Sequence, residues 1–80
     1  MREELTKINK MFHDGSIRYE GDLDRLENRE PIEVAQMVAE RHPFTDGNKR
    51  TAIKFMELKT GEKVPEFVYK ILEKAQMKLY

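Results

Sequence analysis

The chain has 80 residues, 39% hydrophobic and 38% charged, and its 15 Lys plus Arg balance 15 Asp plus Glu to a formal net charge of zero. That length holds one domain with stability on the order of 4–12 kcal/mol, and a neutral balance argues against a broad nucleic-acid footprint, which needs excess cations to neutralise phosphates. The absence of cysteine removes disulfides and thiolate metal clusters. With no apolar run long enough for a membrane span and no signal-peptide core in Met1-Arg2-Glu3-Glu4, a cytoplasmic protein without a membrane partner is expected.

Leu5, Ile8, Met11 and Phe12 recur at spacings of three and four and predict a first helix over about residues 2–12. His13-Asp14-Gly15-Ser16 ends it. Residues 15–30 show no clear period, although Leu23 and Leu26 allow one short turn of helix. Pro31 suits the first position of a second helix, whose Val34, Ala35 and Val38 make one stripe. It must stop near Arg41, because His42 precedes Pro43 and residues before proline avoid the helical region. A third helix is expected from Asp46–Gly47 to about Lys59. Ala52, Ile53, Phe55 and Met56 cover so much of its circumference that it should be the central element. Gly61 closes it, and Pro65 opens a last amphipathic helix carrying Val68, Ile71, Leu72, Ala75 and Leu79. No strand pattern stands out. The expected fold is an all-α bundle of four or five helices.

The stretch His42-Pro43-Phe44-Thr45-Asp46-Gly47-Asn48-Lys49-Arg50 gathers the chemistry. Transfer from a nucleotide to a hydroxyl needs a phosphate cradle, a metal to offset charge and a base to take a proton. Unpaired backbone N–H groups and a positive dipole make the start of the third helix an anion site. Gly47 would let a phosphate approach the backbone there without a Cβ in the way. Lys49 and Arg50 add fixed positive charge, and Arg50 can hold a phosphate bidentately. Asp46 can hold one edge of a magnesium ion whose other ligands are phosphate oxygens and water. His42, across the loop, is the side chain best suited to accept a proton near neutral pH. Phe44 should anchor the loop in the core, and Thr45 is placed to cap the helix.

These nine residues resemble the signature of the Fic/Doc (filamentation and death-on-curing) family, His-x-Phe-x-Asp/Glu-Gly-Asn-Gly/Lys-Arg. The resemblance implies an all-α core with this loop between two central helices. It implies His42 as general base, Asp46 as magnesium ligand, Phe44 as buried anchor, and Gly47, Asn48, Lys49 and Arg50 around the phosphates of ATP. Adenylylating members usually carry Gly in place of Lys49 and a second Arg in place of Ile53. Lys49-Arg50-Thr51-Ala52, together with His13-Asp14 and Ile17-Arg18-Tyr19-Glu20-Gly21, is similar to the death-on-curing branch. Phosphotransfer to a Ser, Thr or Tyr hydroxyl of a protein is therefore favoured over AMP transfer, and a non-catalytic nucleotide-binding remnant is the third reading. As implied by the family, the target would be a protein such as a translation factor, and a separate antitoxin or a homo-oligomer would fit a small toxin-like factor. Ser16-x-x-x-Glu20-Gly21 also fits the short pattern of the family's autoinhibitory helix. Two glycines disfavour a helix there, however, and its pairing arginine is Ile53. Glu20 reads better as a turn residue. Between Leu23 and Pro31 there is little room for the family's target-aligning β-hairpin flap.

Overall fold

The apolar stripes become helices in a computed structural model, which describes residues 1–61. In chain order these are α1 (Arg2–Asn9), α2 (Glu20–Asp24), α3 (Pro31–Arg41) and α4 (Asn48–Thr60), and no strand occurs among the described residues. The small all-α bundle expected from the sequence is the fold found. The helix expected from Pro65 onward lies outside the described residues.

Pro31 stands at the first position of α3, where its missing N–H costs nothing and its fixed φ is already helical. The helix ends at Arg41, as the Pro43 rule requires. Gly61, at φ 73°, takes the left-handed conformation that closes α4, donating its N–H to the Glu57 carbonyl at 2.8 Å. Two boundaries differ from expectation. Helix α1 stops at Asn9 rather than residue 12, because the Asn9 carbonyl accepts from both Phe12 N (2.9 Å) and His13 N (2.8 Å) and tightens the chain into a turn. Met11 and Phe12 consequently leave the stripe and stand exposed. The short turn expected around Leu23 is realised as α2, starting at Glu20, with acidic Glu20 and Asp22 in the first turn where the helix dipole favours them.

Helix α4 is the central element, packed against α3 on one side and α1 on the other. The core draws Leu5 and Ile8 from α1, Leu23 and Leu26 from α2 and its following turn, and Val34, Ala35, Val38 and Ala39 from α3. Ala52, Phe55 and Met56 of α4 complete it together with Phe44 from the α3–α4 loop. Across the surface, Lys59 pairs with Glu4 at 2.8 Å, linking the far ends of α4 and α1. No helix among the described residues is long and apolar enough to cross a membrane.

Candidate functional site

The α3–α4 loop is held from three directions. Phe44 is fully buried and anchors its middle, as expected. From one side, the extended chain at residues 16–19 runs antiparallel to it and forms a single bridge between Ile17 and Phe44. Arg18 N (2.6 Å) and Tyr19 N (3.0 Å) donate to the Pro43 carbonyl, and Thr45 N donates to the Ser16 carbonyl at 3.1 Å. From the other side comes Asn9, a fully buried polar side chain at the end of α1. Its Nδ2 donates to the Asp46 carbonyl (2.9 Å) and to Thr51 Oγ1 (3.1 Å), while its Oδ1 accepts from Gly15 N (3.0 Å). Thr51, also fully buried, donates its hydroxyl to the Gly47 carbonyl at 2.7 Å. Every polar atom of the Asn9 amide is thus engaged, as a buried amide requires.

The loop and the first turn of α4 wall a cleft of about 390 Å³, whose lining includes His42, Thr45, Asp46, Gly47, Asn48, Lys49 and Arg50. The expected site residues other than the buried anchor Phe44 therefore line one space, although the Asn48 side chain is turned onto the Phe44 backbone. Two further residues join them, Arg18 and Phe12. Arg18 is brought in by the Ile17–Phe44 bridge, a pairing with no local pattern in the sequence. Its guanidinium also lies over the Tyr19 ring, 5.1 Å from the centroid. Among the described residues, the cleft lining thus carries three cations (Arg18, Lys49, Arg50) and one carboxylate, Asp46. In a molecule of zero net charge, that local excess gives the cleft a positive potential.

His42 caps α3 in the left-handed conformation (φ 51°, ψ 58°), its N–H donating to the Val38 carbonyl at 3.2 Å. Left-handed backbone is unfavourable for a residue with a Cβ. Here it turns the imidazole to the cleft wall, with Nε2 buried. Asp46 is exposed, and its Oδ1 accepts from Gly47 N at 2.7 Å. No group of three or more His, Cys, Asp or Glu capable of holding a metal occurs among the described residues. A magnesium ion would therefore have Asp46 as its protein carboxylate and need phosphate oxygens and water for the rest, a donor set that suits this hard, reluctantly dehydrated cation.

Four expected roles change in detail. Thr45 does not cap α4; its hydroxyl lies 3.0 Å from His13 Nε2. Gly47, at φ 70°, is the N-cap, and no side chain caps the helix. The position requires glycine for its left-handed backbone, and a Cβ there would meet Asn9 Nδ2 at 3.3 Å and the Cβ atoms of Phe12 and His13 at 3.6 Å. The missing side chain therefore lets the loop approach the end of α1. Asn48 uses its side chain inward: Oδ1 accepts from Phe44 N and Nδ2 donates to Phe44 O, both at 2.9 Å. Its amide locks the loop onto the start of α4. Glu20 is not the turn residue expected but the first residue of α2, which forms despite Gly21, and its carboxylate accepts from Arg2 at 2.7 Å.

What the fold and cleft define is a class: a small all-helical protein with a cationic cleft at the N-terminus of its central helix. No protein-family model, curated protein or solved structure matches the chain.

Proposed function

We propose that the chain is an ATP-dependent transferase of Fic/Doc type that passes the terminal phosphate of ATP to a protein hydroxyl. The observation that carries this reading is the convergence of His42, Asp46, Arg18, Lys49 and Arg50 on one cleft at the start of α4. A general base, a single carboxylate and a set of cations are the parts that phosphoryl transfer asks of a protein, since the reaction is mostly positioning and charge neutralisation. In this reading the polyphosphate lies against the first turn of α4, its charge offset by Arg18, Lys49 and Arg50. His42 removes the proton from the acceptor hydroxyl. The acceptor oxygen bonds to the γ-phosphorus as the β–γ bridging bond breaks, and ADP departs with those electrons. Asp46 would hold magnesium, which when bound supplies further neutralisation of the phosphate charge.

A second reading, a nucleotide-binding protein that transfers nothing, is favoured by the buried Nε2 of His42. It is also favoured by the absence of any strand among residues 23–31 that could align a target. Incubation with α-labelled and γ-labelled ATP, magnesium and a cell extract separates the readings. Transfer of γ label alone, abolished in His42→Ala, is expected. Transfer of α label would make the protein an AMP-transferase, and ATP binding with no transfer of either label would select the second reading.

A further inference from the structure

Thr45 belongs to a run of contacts that the transfer step described above does not use. It lines the cationic cleft and is exposed. Its backbone is pinned by the bond from Thr45 N to the Ser16 carbonyl at 3.1 Å, and its Oγ1 lies 3.0 Å from His13 Nε2. The same nitrogen is 3.3 Å from Asp14 Oδ1. That carboxylate oxygen in turn accepts from Ser16 N at 2.9 Å, which holds it in place. Hydroxyl, imidazole and carboxylate therefore stand together. This is what activates an alcohol as a nucleophile: a base within hydrogen-bond reach and a third group beside the base. With the imidazole proton on Nδ1, Nε2 accepts from the Thr45 hydroxyl.

We infer that Thr45 is a phosphate acceptor in its own cleft, with His13 as the base that takes its proton. The inference rests on the transferase reading and deepens it, because it names an acceptor hydroxyl that bound ATP meets without any partner protein. In the step, the hydroxyl proton passes to His13 Nε2. The bond from Thr45 Oγ1 to the γ-phosphorus forms as the β–γ bridging bond breaks, and ADP leaves with those electrons. Asp14 then offsets the positive charge that the imidazole has gained. The product also suits its surroundings. A phosphothreonine carries about −1.5 to −2 charges near neutral pH. Here it stands just before α4, in a cleft that Arg18, Lys49 and Arg50 line. Helix N-termini and arginine clusters are the settings in which such a group gains charge-assisted hydrogen bonds. Acceptor, base and a place for the product thus occur in one wall of the cleft.

Incubation of the purified full chain with magnesium and γ-labelled ATP, without extract, tests this. Phosphate is expected on the chain by intact mass and at Thr45 by peptide fragmentation. The rate per chain should not change with protein concentration, because acceptor and cleft belong to one molecule. Thr45→Val should remove the label and Thr45→Ser should keep it, at an exposed position where neither change disturbs the core. His13→Gln, which keeps a polar side chain but no basic nitrogen, should slow labelling about a hundredfold or more. A purified chain that stays unlabelled while it labels extract proteins would overturn the inference and leave the transferase reading standing. Phosphate on another residue alone, a rate proportional to protein concentration, or a His13→Gln rate equal to wild type would do the same. No label on the chain or on any extract protein would overturn both.

Discussion

At the scale of single residues, His42 and Asp14 show how local backbone and hydrogen bonding set what a side chain can do. His42 holds a left-handed conformation that glycine would adopt without strain. Strain of this kind persists where the surrounding structure fixes it and is concentrated at functional sites. His42→Gly should therefore be about 1 kcal/mol more stable than His42→Ala in urea denaturation, while both lose label transfer. Equal stabilities would mean that the backbone relaxes out of this conformation once the imidazole is gone. Asp14 has a carboxylate held below its ordinary value of 3.8, chiefly by hydrogen bonding to the Ser16 side chain and backbone N–H, with His13 adding a smaller attraction. Because the folded value is the lower one, ionised Asp14 favours the folded state. That contribution is complete above the unfolded value and is lost as pH falls through the folded value. The melting temperatures of wild type and Asp14→Ala should thus converge as pH is lowered from about 5 to about 2. A gap that persists at the acid end would assign the effect to packing.

At the scale of elements, the end of α1 acts as the scaffold of the α3–α4 loop. Asn9 joins three segments through one amide: the Gly15 turn, the Asp46 carbonyl and Thr51 of α4. Replacing it removes the partner of the part-buried Gly15 N–H and Asp46 carbonyl and of the buried Thr51 hydroxyl, so Asn9→Ala should cost about 1–3 kcal/mol. Asn9→Asp should do no better, since a carboxylate has no donor for the Asp46 carbonyl. Chemical denaturation checks both, and a loss under about 0.5 kcal/mol would show that water replaces the amide. The sequence hid this role because Asn9 sits among the polar residues of a short amphipathic helix. Only the approach of α4, 42 positions later at Thr51, makes it a core residue. Helix α3 was legible to the residue, by contrast, because its signals, Pro31 and Pro43, act through covalent sterics on their own neighbours.

At the scale of the whole molecule, a chain of this length has little stability in reserve. Phe44 and Phe55 are the largest fully buried side chains among the described residues, and Phe44 couples the core to the site. Phe44→Ala should cost about 3–5 kcal/mol, enough to populate the unfolded state near ambient temperature. Saturating magnesium and ATP should raise its melting temperature, because a ligand that binds only the folded state shifts the balance. Circular dichroism melts with and without ligand measure both effects, and an unchanged melting temperature with ligand would mean that the cleft does not bind it. Neutral net charge gives no hint of the cationic cleft, since the charges that form it come from two distant segments. The sequence by itself determined the helical class, the bounds of α3, the central position of α4, the burial of Phe44 and the grouping of His42 through Arg50. Each depends on periodicity or on sterics between near neighbours, which the order of residues carries directly. Tertiary structure alone decided that Arg18 and Phe12 join that grouping, that Asn9 braces it, that Asn48 turns its amide inward and that Thr45 meets His13. Those pairings span from 4 to 42 positions along the chain, and what selects them is the closure of one core around Phe44, which no local pattern records.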